Sequence, residues 1–284
     1  MKNNNSQLVL DPHGHDAGVK YFLDHYKIKP KKPSLAYLQE ILTHYANLPY
    51  ENISKIIKLR QDYTSPERIR LPEEVIEDHA GYRLGGTCFS LTYFLQTILS
   101  QQGFICYPVI AHMRRALNSH CALVVLLDNK KYLADPGYLL NHPMELNKDQ
   151  MRWYRTPHTG VEVLFQKEYE HYEIYTFHKN NLKYRYCFID KPLTADEFLR
   201  HWHGSFYWNG MRGICLTQVR PDGMVYVHND YVQLQNIHGK TKGKVTDIYK
   251  LVQEQFGILP EWIERARAAI PEIIQLGKDH GYYS

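Results

Sequence analysis

The 284-residue chain has no apolar stretch approaching the ~20 residues that a membrane-spanning helix needs. Its opening, MKNNNSQLVLDPHGHD, holds no apolar core of secretory length. The five cysteines are irregularly spaced and form neither a disulfide framework nor a CxxC zinc motif. The expected compartment is therefore cytoplasmic, where thiols stay reduced and free to react. Charge of one sign is scarce as well, since 34 basic residues against 30 acidic ones leave a net charge of +4. The densest basic run, KIKPKKP at 27–33, carries no stacking aromatic and reads as a solvated connector. Neither nucleic acid nor a membrane is expected as a partner, and the sequence does not address oligomeric state. Internal repeats and low-complexity segments are absent. Among sixteen histidines, two HxH pairs stand out, His13/His15 and His201/His203, each able to share one face of an extended segment. No Cys, Asp or Glu cluster completes either set, so no metal is expected.

What is present is ordinary globular material. Hydrophobic residues make up 44% and charged residues 23%. A chain of this size buries roughly 75% of its unfolded surface, enough to fold without a staple. Tyrosine is abundant at 23 residues and suits half-buried walls where the ring packs and the hydroxyl stays bonded.

The first ~100 residues read as helices. Leu35, Leu38, Ile41 and Leu42 form a stripe behind Ser34 as N-cap. The polar segment 57–72 reads as a connector. Residues 89–102 form the best helix, with Leu91, Phe94, Leu95, Ile98 and Leu99 on one face and Gly103 as the stop. From Ile105 the runs become short and β-branched: CYPVIAHM, CALVVLL, KYLA, VEVL, YEIYTF, KYRYCFI and ICLTQV. A turn at Asp222–Gly223 leads into MVYV and YVQL, and segments 244–256 and 260–276 read as helical. Helices followed by many antiparallel strands and then a small mixed region predict an α+β fold.

Chemistry concentrates at Cys88, in Arg83-Leu84-Gly85-Gly86-Thr87-Cys88-Phe89. Two glycines free the backbone for close approach, Thr87 is placed to cap, and the cysteine falls in the first turn of the strong helix. A helix N-terminus favours thiolate over thiol, and its unpaired amides suit a developing oxyanion. Cys106, Cys121, Cys187 and Cys215 lie in or beside strand patterns and read as small buried hydrophobes. A thiolate nucleophile needs a base, and the base an orienting group. His120 opens one strand and Asp135 closes the next. If the pair turns through Asp128–Asn129, residue 135 lies opposite 122. His120 is then its diagonal neighbour, roughly 7–8 Å away between Cα atoms. A three-residue loop would reverse the face.

Cys88, His120 and Asp135, in that order, resemble the arylamine N-acetyltransferase family and, more distantly, the transglutaminase-like superfamily. Arg83 to Cys88 looks like the family's Arg-Gly-Gly-x-Cys. Asp135-Pro136-Gly137-Tyr138-Leu139 looks like its Asp-Val-Gly-Phe-Gly turn, fifteen residues after the histidine. Pro49-Tyr50-Glu51-Asn52-Ile53 is similar to its Pro-Phe-Glu-Asn-Leu. Leu251 to Ile258 is similar to its C-terminal Leu-xxxx-Phe-Gly-Ile. The resemblance implies a helical domain (1–104) carrying Cys88, a β-barrel (105–221) carrying His120 and Asp135, and an α/β lid (222–284). It further implies a Cys88–His120–Asp135 triad, with Tyr50, Gly137 and Tyr138 lining the substrate pocket. The implied reaction is ping-pong transfer of an acetyl (or other acyl) group from acetyl-CoA (or another acyl-CoA), a co-substrate and not a bound cofactor, to an arylamine or arylhydrazine.

The chain also departs from the pattern. Leu84 stands where the family has the arginine that pairs with the glutamate matching Glu51, and Arg83 is displaced by one. Ser90, Thr92 and Pro136 replace Glu, Asn and Val. Leu139 replaces the second glycine of the turn, and its side chain is expected to narrow the cleft and slow acetyl-CoA use while leaving the thiolate intact. An amide synthase or transglutaminase-like amidase would use the same triad. A binding protein with a vestigial triad is the reading from another class.

Overall fold

The structure, a computed structural model, describes residues 10–61, 68–114, 116–178 and 181–279. Five helices come first: α1 (Asp16–His25), α2 (Leu35–Tyr45), α3 (Ile53–Gln61), α4 (Pro72–Tyr82) and α5 (Cys88–Gln101), with the two-residue strand β1 (Tyr50–Glu51) before α3. Ser34 caps α2, accepting from the Tyr37 amide at 3.2 Å. The expected connector at 57–72 is shorter than the polar composition implied: α3 continues to Gln61 because Ile56, Ile57 and Leu59 bury a face, and residues 62–67 lie outside the described residues.

Helix α5 is apolar nearly all round because it serves two cores. Leu91, Phe94, Leu95, Ile98 and Leu99 join Phe22, Leu38 and Ile41 in the first helical core. Cys88, Phe89 and Tyr93 face another, shared with Phe198 and Trp202. The hydroxyls of Ser90 and Thr97 are satisfied by the carbonyls of Thr87 (3.1 Å) and Tyr93 (2.9 Å), which makes their burial tolerable.

Eight strands follow in one antiparallel sheet: β2 (Ile105–Met113), β3 (Ala116–Leu127), β4 (Lys130–Ala134), β5 (Met144–Glu145), β6 (Arg152–Arg155), β7 (Gly160–Gln166), β8 (His171–His178) and β9 (Asn181–Phe188). Their order, β5-β4-β3-β2-β9-β8-β7-β6, curls into a nearly closed barrel. The seam between β5 and β6 is linked by the Glu145 amide donating to the Tyr154 hydroxyl (2.6 Å) and by Arg152 on the Glu145 carboxylate (3.0 Å). Val109, Val124, Val161, Ile174 and Phe188 are among the residues that fill it. The β3–β4 turn has both central residues at positive φ (Asp128 50°, Asn129 59°), the two-residue hairpin geometry that asparagine and aspartate tolerate.

Helix α6 (Ala195–Gly204) returns to the helical region, stacking Phe198 and Trp202 around Phe89. A second sheet then forms from β10 (Cys215–Arg220), β11 (Gly223–His228), β12 (Tyr231–Gln235) and β13 (Lys240–Lys244), in the order β1-β10-β11-β12-β13. Strand β10 pairs with β1 and β11, so it belongs to this sheet and not to the barrel, and a boundary at 221/222 falls inside the β10–β11 hairpin. Residues 240–244 form a strand that the sequence hid, because KTKGK is an exposed edge without apolar alternation. Helices α7 (Ile248–Phe256) and α8 (Pro260–Asp279) complete the chain. Ile263, Ala266, Ala269 and Ile273 of α8 share a core with Ile53 and Ile56 of α3, so the C-terminal helix rests on the first domain. No helix among the described residues is long and apolar enough to cross a membrane.

Candidate active site

Cys88 is the first residue of α5, with Thr87 extended before it (φ −91°, ψ 175°). The Thr87 side chain makes no capping bond, contrary to its expected role, and the free first-turn amides are left to a ligand or water. The glycine pair is held by the segment before α3. The Gly85 amide donates to Glu51 Oε1 (3.2 Å) and the Gly86 amide to the Pro49 carbonyl (3.3 Å). A Cβ on Gly85 would stand 1.9 Å from the Pro49 oxygen, so only glycine passes there.

The arginine beside Glu51 is neither Arg83 nor at position 84. Arg83 caps α4 in a left-handed conformation (φ 62°) and is exposed, while Leu84 is buried. The guanidinium beside Glu51 comes from Arg70, before α4 and 3% exposed. It donates to Ser54 Oγ (2.7 Å), Asp78 Oδ2 (2.6 Å) and the Gly85 carbonyl, and stands 3.7 Å from Glu51 Oε1. No local motif marked it, because the polar run around it reads as a loop.

On the barrel side, β3 presents His120 and the turn after β4 presents Asp135. His120 Nε2 lies 2.9 Å from Asp135 Oδ2, consistent with the two-residue turn and the β3–β4 register. The Tyr138 amide donates to the other carboxylate oxygen (3.1 Å), and the Tyr186 hydroxyl donates to Oδ2. Tyr186, buried in β9, is a member that sequence reasoning missed; only its inward position in the strand alternation hinted at it. The three elements converge at Gly137, where a Cβ would fall 2.7 Å from His120 Cε1 and 2.8 Å from Cys88 Cβ. Glycine there lets the turn lie against both side chains.

Electrostatics follow from burial and contact. A hydrogen bond from Cys121 lowers the Cys88 pKa most; burial opposes it, and His120 and Lys55 lower it further, leaving it well below the usual thiol value. Burial disfavours the His120 imidazolium, but the charge and hydrogen bond of Asp135 and the Cys88 sulfur push its pKa up to about 10. Thiolate and imidazolium thus stabilise each other. Burial pushes Cys106 and Cys215 up to about 11, and Cys121 rises too, so the other sulfurs named here stay protonated.

Cys88, His120, Tyr50, Gly137 and Tyr138 all line one cavity of about 520 Å³ between the barrel and the second sheet. Leu139 does not line it: the residue is 3% exposed and buried away from the cavity wall, with its backbone left-handed (φ 53°). The expected narrowing of the cleft by Leu139 is therefore wrong; a glycine here would relieve backbone geometry and open no passage. The exposed end of the cavity carries Lys183, Arg185, Lys240 and Lys242, and among the described residues its wall includes no Asp or Glu. These cations escaped the sequence reading because they come from β9 and β13, far apart in the chain. Of the HxH histidines, His15 bonds Glu73 (2.8 Å) and His203 accepts from Arg68 (3.1 Å). Among the described residues no three His, Cys, Asp or Glu side chains gather as a metal site.

The profile of a family described as N-acetyltransferase matches residues 34–261. The arylamine N-acetyltransferase of Salmonella typhimurium superposes with a TM-score of 0.72 at 18% identity, covering 89% of this chain and 98% of that one. That of Nocardia farcinica gives 0.75 at 17%, covering 93% and 98%. A Bacillus cereus arylamine N-acetyltransferase, described as having a Cys-His-Glu catalytic triad, gives 0.66 at 19%, covering 85% and 98%. No curated protein matches by sequence. At such identities these structures establish likeness of fold.

Proposed function

Because the chain belongs to the arylamine N-acetyltransferase family, whose members are acyl-CoA-dependent N-acetyltransferases, we propose that it moves an acetyl group from acetyl-CoA to an arylamine or arylhydrazine by a ping-pong route through acyl-Cys88. The observation that carries this reading is the buried Cys88–His120–Asp135 cluster opening into a cavity whose far end is cationic. The Cys88 thiolate attacks the thioester carbon, and first-turn amides of α5 receive the oxyanion. Coenzyme A leaves as its thiol, taking the proton from the His120 imidazolium. The amine nitrogen then attacks the acyl-cysteine; neutral His120 accepts its proton, and the thiolate re-forms with the imidazolium. Asp135 fixes the tautomer and orientation of His120, and the Tyr186 hydroxyl and the Tyr138 amide of its own turn support Asp135. Tyr50, Gly137 and Tyr138 shape the acceptor side. Lys183, Arg185, Lys240 and Lys242 suit a donor bearing several phosphates.

Intact mass spectrometry after incubation with acetyl-CoA and no acceptor tests this. The expected result is a gain of one acetyl group located on Cys88 and discharged by an arylamine, and no gain in Cys88→Ala. Absence of any adduct with a series of acyl-CoA thioesters would overturn the acyltransferase reading in favour of an amidase or a non-catalytic binder.

A further inference from the structure

The reactive cavity does not end at its cations. A second hollow of about 450 Å³ adjoins it and shares Thr176, Lys183, Arg185, Gln235 and Lys240 with its wall. A third, of about 380 Å³, continues from the second through Thr159, Phe177 and His178, and Trp153 and Ile237 line it. Thr176 faces the barrel interior and Phe177, next in β8, faces out, so the groove crosses the barrel rim. It runs without a break from Cys88, through a cationic neck, to an aromatic shelf. Among the described residues neither outer hollow has an Asp or Glu in its wall.

The shelf leaves a large ring in water, since Trp153 is 66% exposed. The indole is held all the same. Its Nε1 donates to Glu162 Oε2 on the paired strand β7 (3.0 Å), and its ring centre lies 6.2 Å from that of Phe177. Phe177 is fixed as well: its ring lies over Gly160, its partner on β7, where a Cβ would fall 2.1 Å from the Phe177 Cζ. The rim is tied to the second sheet by the His178 ring nitrogen Nε2 on the Asn236 carbonyl (3.2 Å) and by the Gln235 side-chain amide on the His158 carbonyl (2.9 Å). The groove is therefore formed before any ligand arrives, as binding sites for small molecules usually are.

We propose that the Trp153–Phe177 shelf stacks the purine base at the nucleotide end of the acyl-CoA donor, whose phosphates lie in the cationic neck and whose thioester reaches Cys88. This rests on the reading of an acyl-CoA as donor. The order of chemistry along the groove matches the order of groups along that molecule: a reactive sulfur, a neutral arm, phosphates and a flat aromatic base. An exposed aromatic side chain offers a stacking face to a base without needing to read its edge. The arylamine acceptor does not suit the shelf, because its nitrogen must reach the acyl-cysteine and the cationic neck lies between.

Calorimetric titration with coenzyme A tests this in the unaltered protein, Trp153→Ala and Trp153→Phe. Trp153 is exposed, so neither substitution removes core packing. Loss of a base–aromatic stack should weaken coenzyme A binding in Trp153→Ala about five- to 150-fold, and Trp153→Phe should recover most of it. The loss should be confined to ligands that carry the nucleotide, so pantetheine should not distinguish the variants. Equal affinity of Trp153→Ala and the unaltered protein for coenzyme A would overturn the proposal. So would an equal loss for pantetheine, or no binding of coenzyme A to the unaltered protein. Failure of the acyl-transfer reading shows differently: coenzyme A then binds with the expected dependence on Trp153, while acetyl-CoA leaves no adduct on Cys88.

Discussion

At the buried end of the cavity Cys88, His120 and Asp135 are 5%, 4% and 0% exposed, whereas Lys183, Lys240 and Lys242 at the other end stand in water. The same Coulomb law gives the two ends different consequences. Charges a few ångströms apart interact several-fold more strongly in a protein interior than in water, where salt screens them further. The buried groups therefore set one another's protonation state. The exposed lysines act as a field for attracting anions, each contributing little by itself.

The sharpest way to break this contrast is Asp135→Asn, which should reduce acyl transfer by about 10³–10⁴-fold, as loss of an orienting carboxylate does elsewhere. It also carries a pH signature. The folded-state pKa of His120, about 10, lies above its ordinary 6.5. The stability that this group contributes is therefore complete below pH 6.5 and is lost as pH rises through 10. Urea unfolding of Asp135→Asn should lose most of that alkaline decline.

Arg70→Met should come next in size. It leaves Glu51 buried without its guanidinium, and removal of one partner from such a network destabilises by about 3–5 kcal/mol. Urea midpoints measure this, and an effect below about 1 kcal/mol, the range of surface pairs, would remove Arg70 from the nucleophile's support. At the exposed end, Lys240→Ala with Lys242→Ala should raise the KM for acetyl-CoA about three- to tenfold at low salt, with kcat unchanged. The difference should vanish near 1 M salt; a kcat effect would mean that these lysines reach the chemistry. Smallest is Leu139→Gly. Loss of ~1.5–3 kcal/mol of burial is offset by ~1–2 kcal/mol from leaving a left-handed backbone. Net stability should move by about 2 kcal/mol or less, and kcat/KM for acetyl-CoA should stay within about twofold.

The elements that were legible in the sequence are those whose cause is local. The 3.6-residue periodicity of α5, the Ser34 cap, the alternation of β7 to β9 and the Asp128–Asn129 turn each depend on a few neighbouring residues. The same holds for the placement of Cys88 at a helix start and for the His120–Asp135 pairing, since a two-residue hairpin fixes register by itself. Strand β13 escaped because an exposed edge needs no apolar alternation.

Sequence by itself therefore determined the α+β class and the cysteine at the head of a buried helix, and it left the histidine and aspartate pairing dependent on a turn that the structure shows to be two residues long. Tertiary structure alone decided that Arg70 and not Arg83 meets Glu51, that Tyr186 reaches Asp135, and that Leu139 turns into the interior. It also decided that cations from β9 and β13 share one wall. The physical reason is range: hydrogen-bonded turns and helix starts act over a few residues of chain. Burial and Coulomb interaction act through space, and nothing in the spacing of distant residues records who will be neighbours.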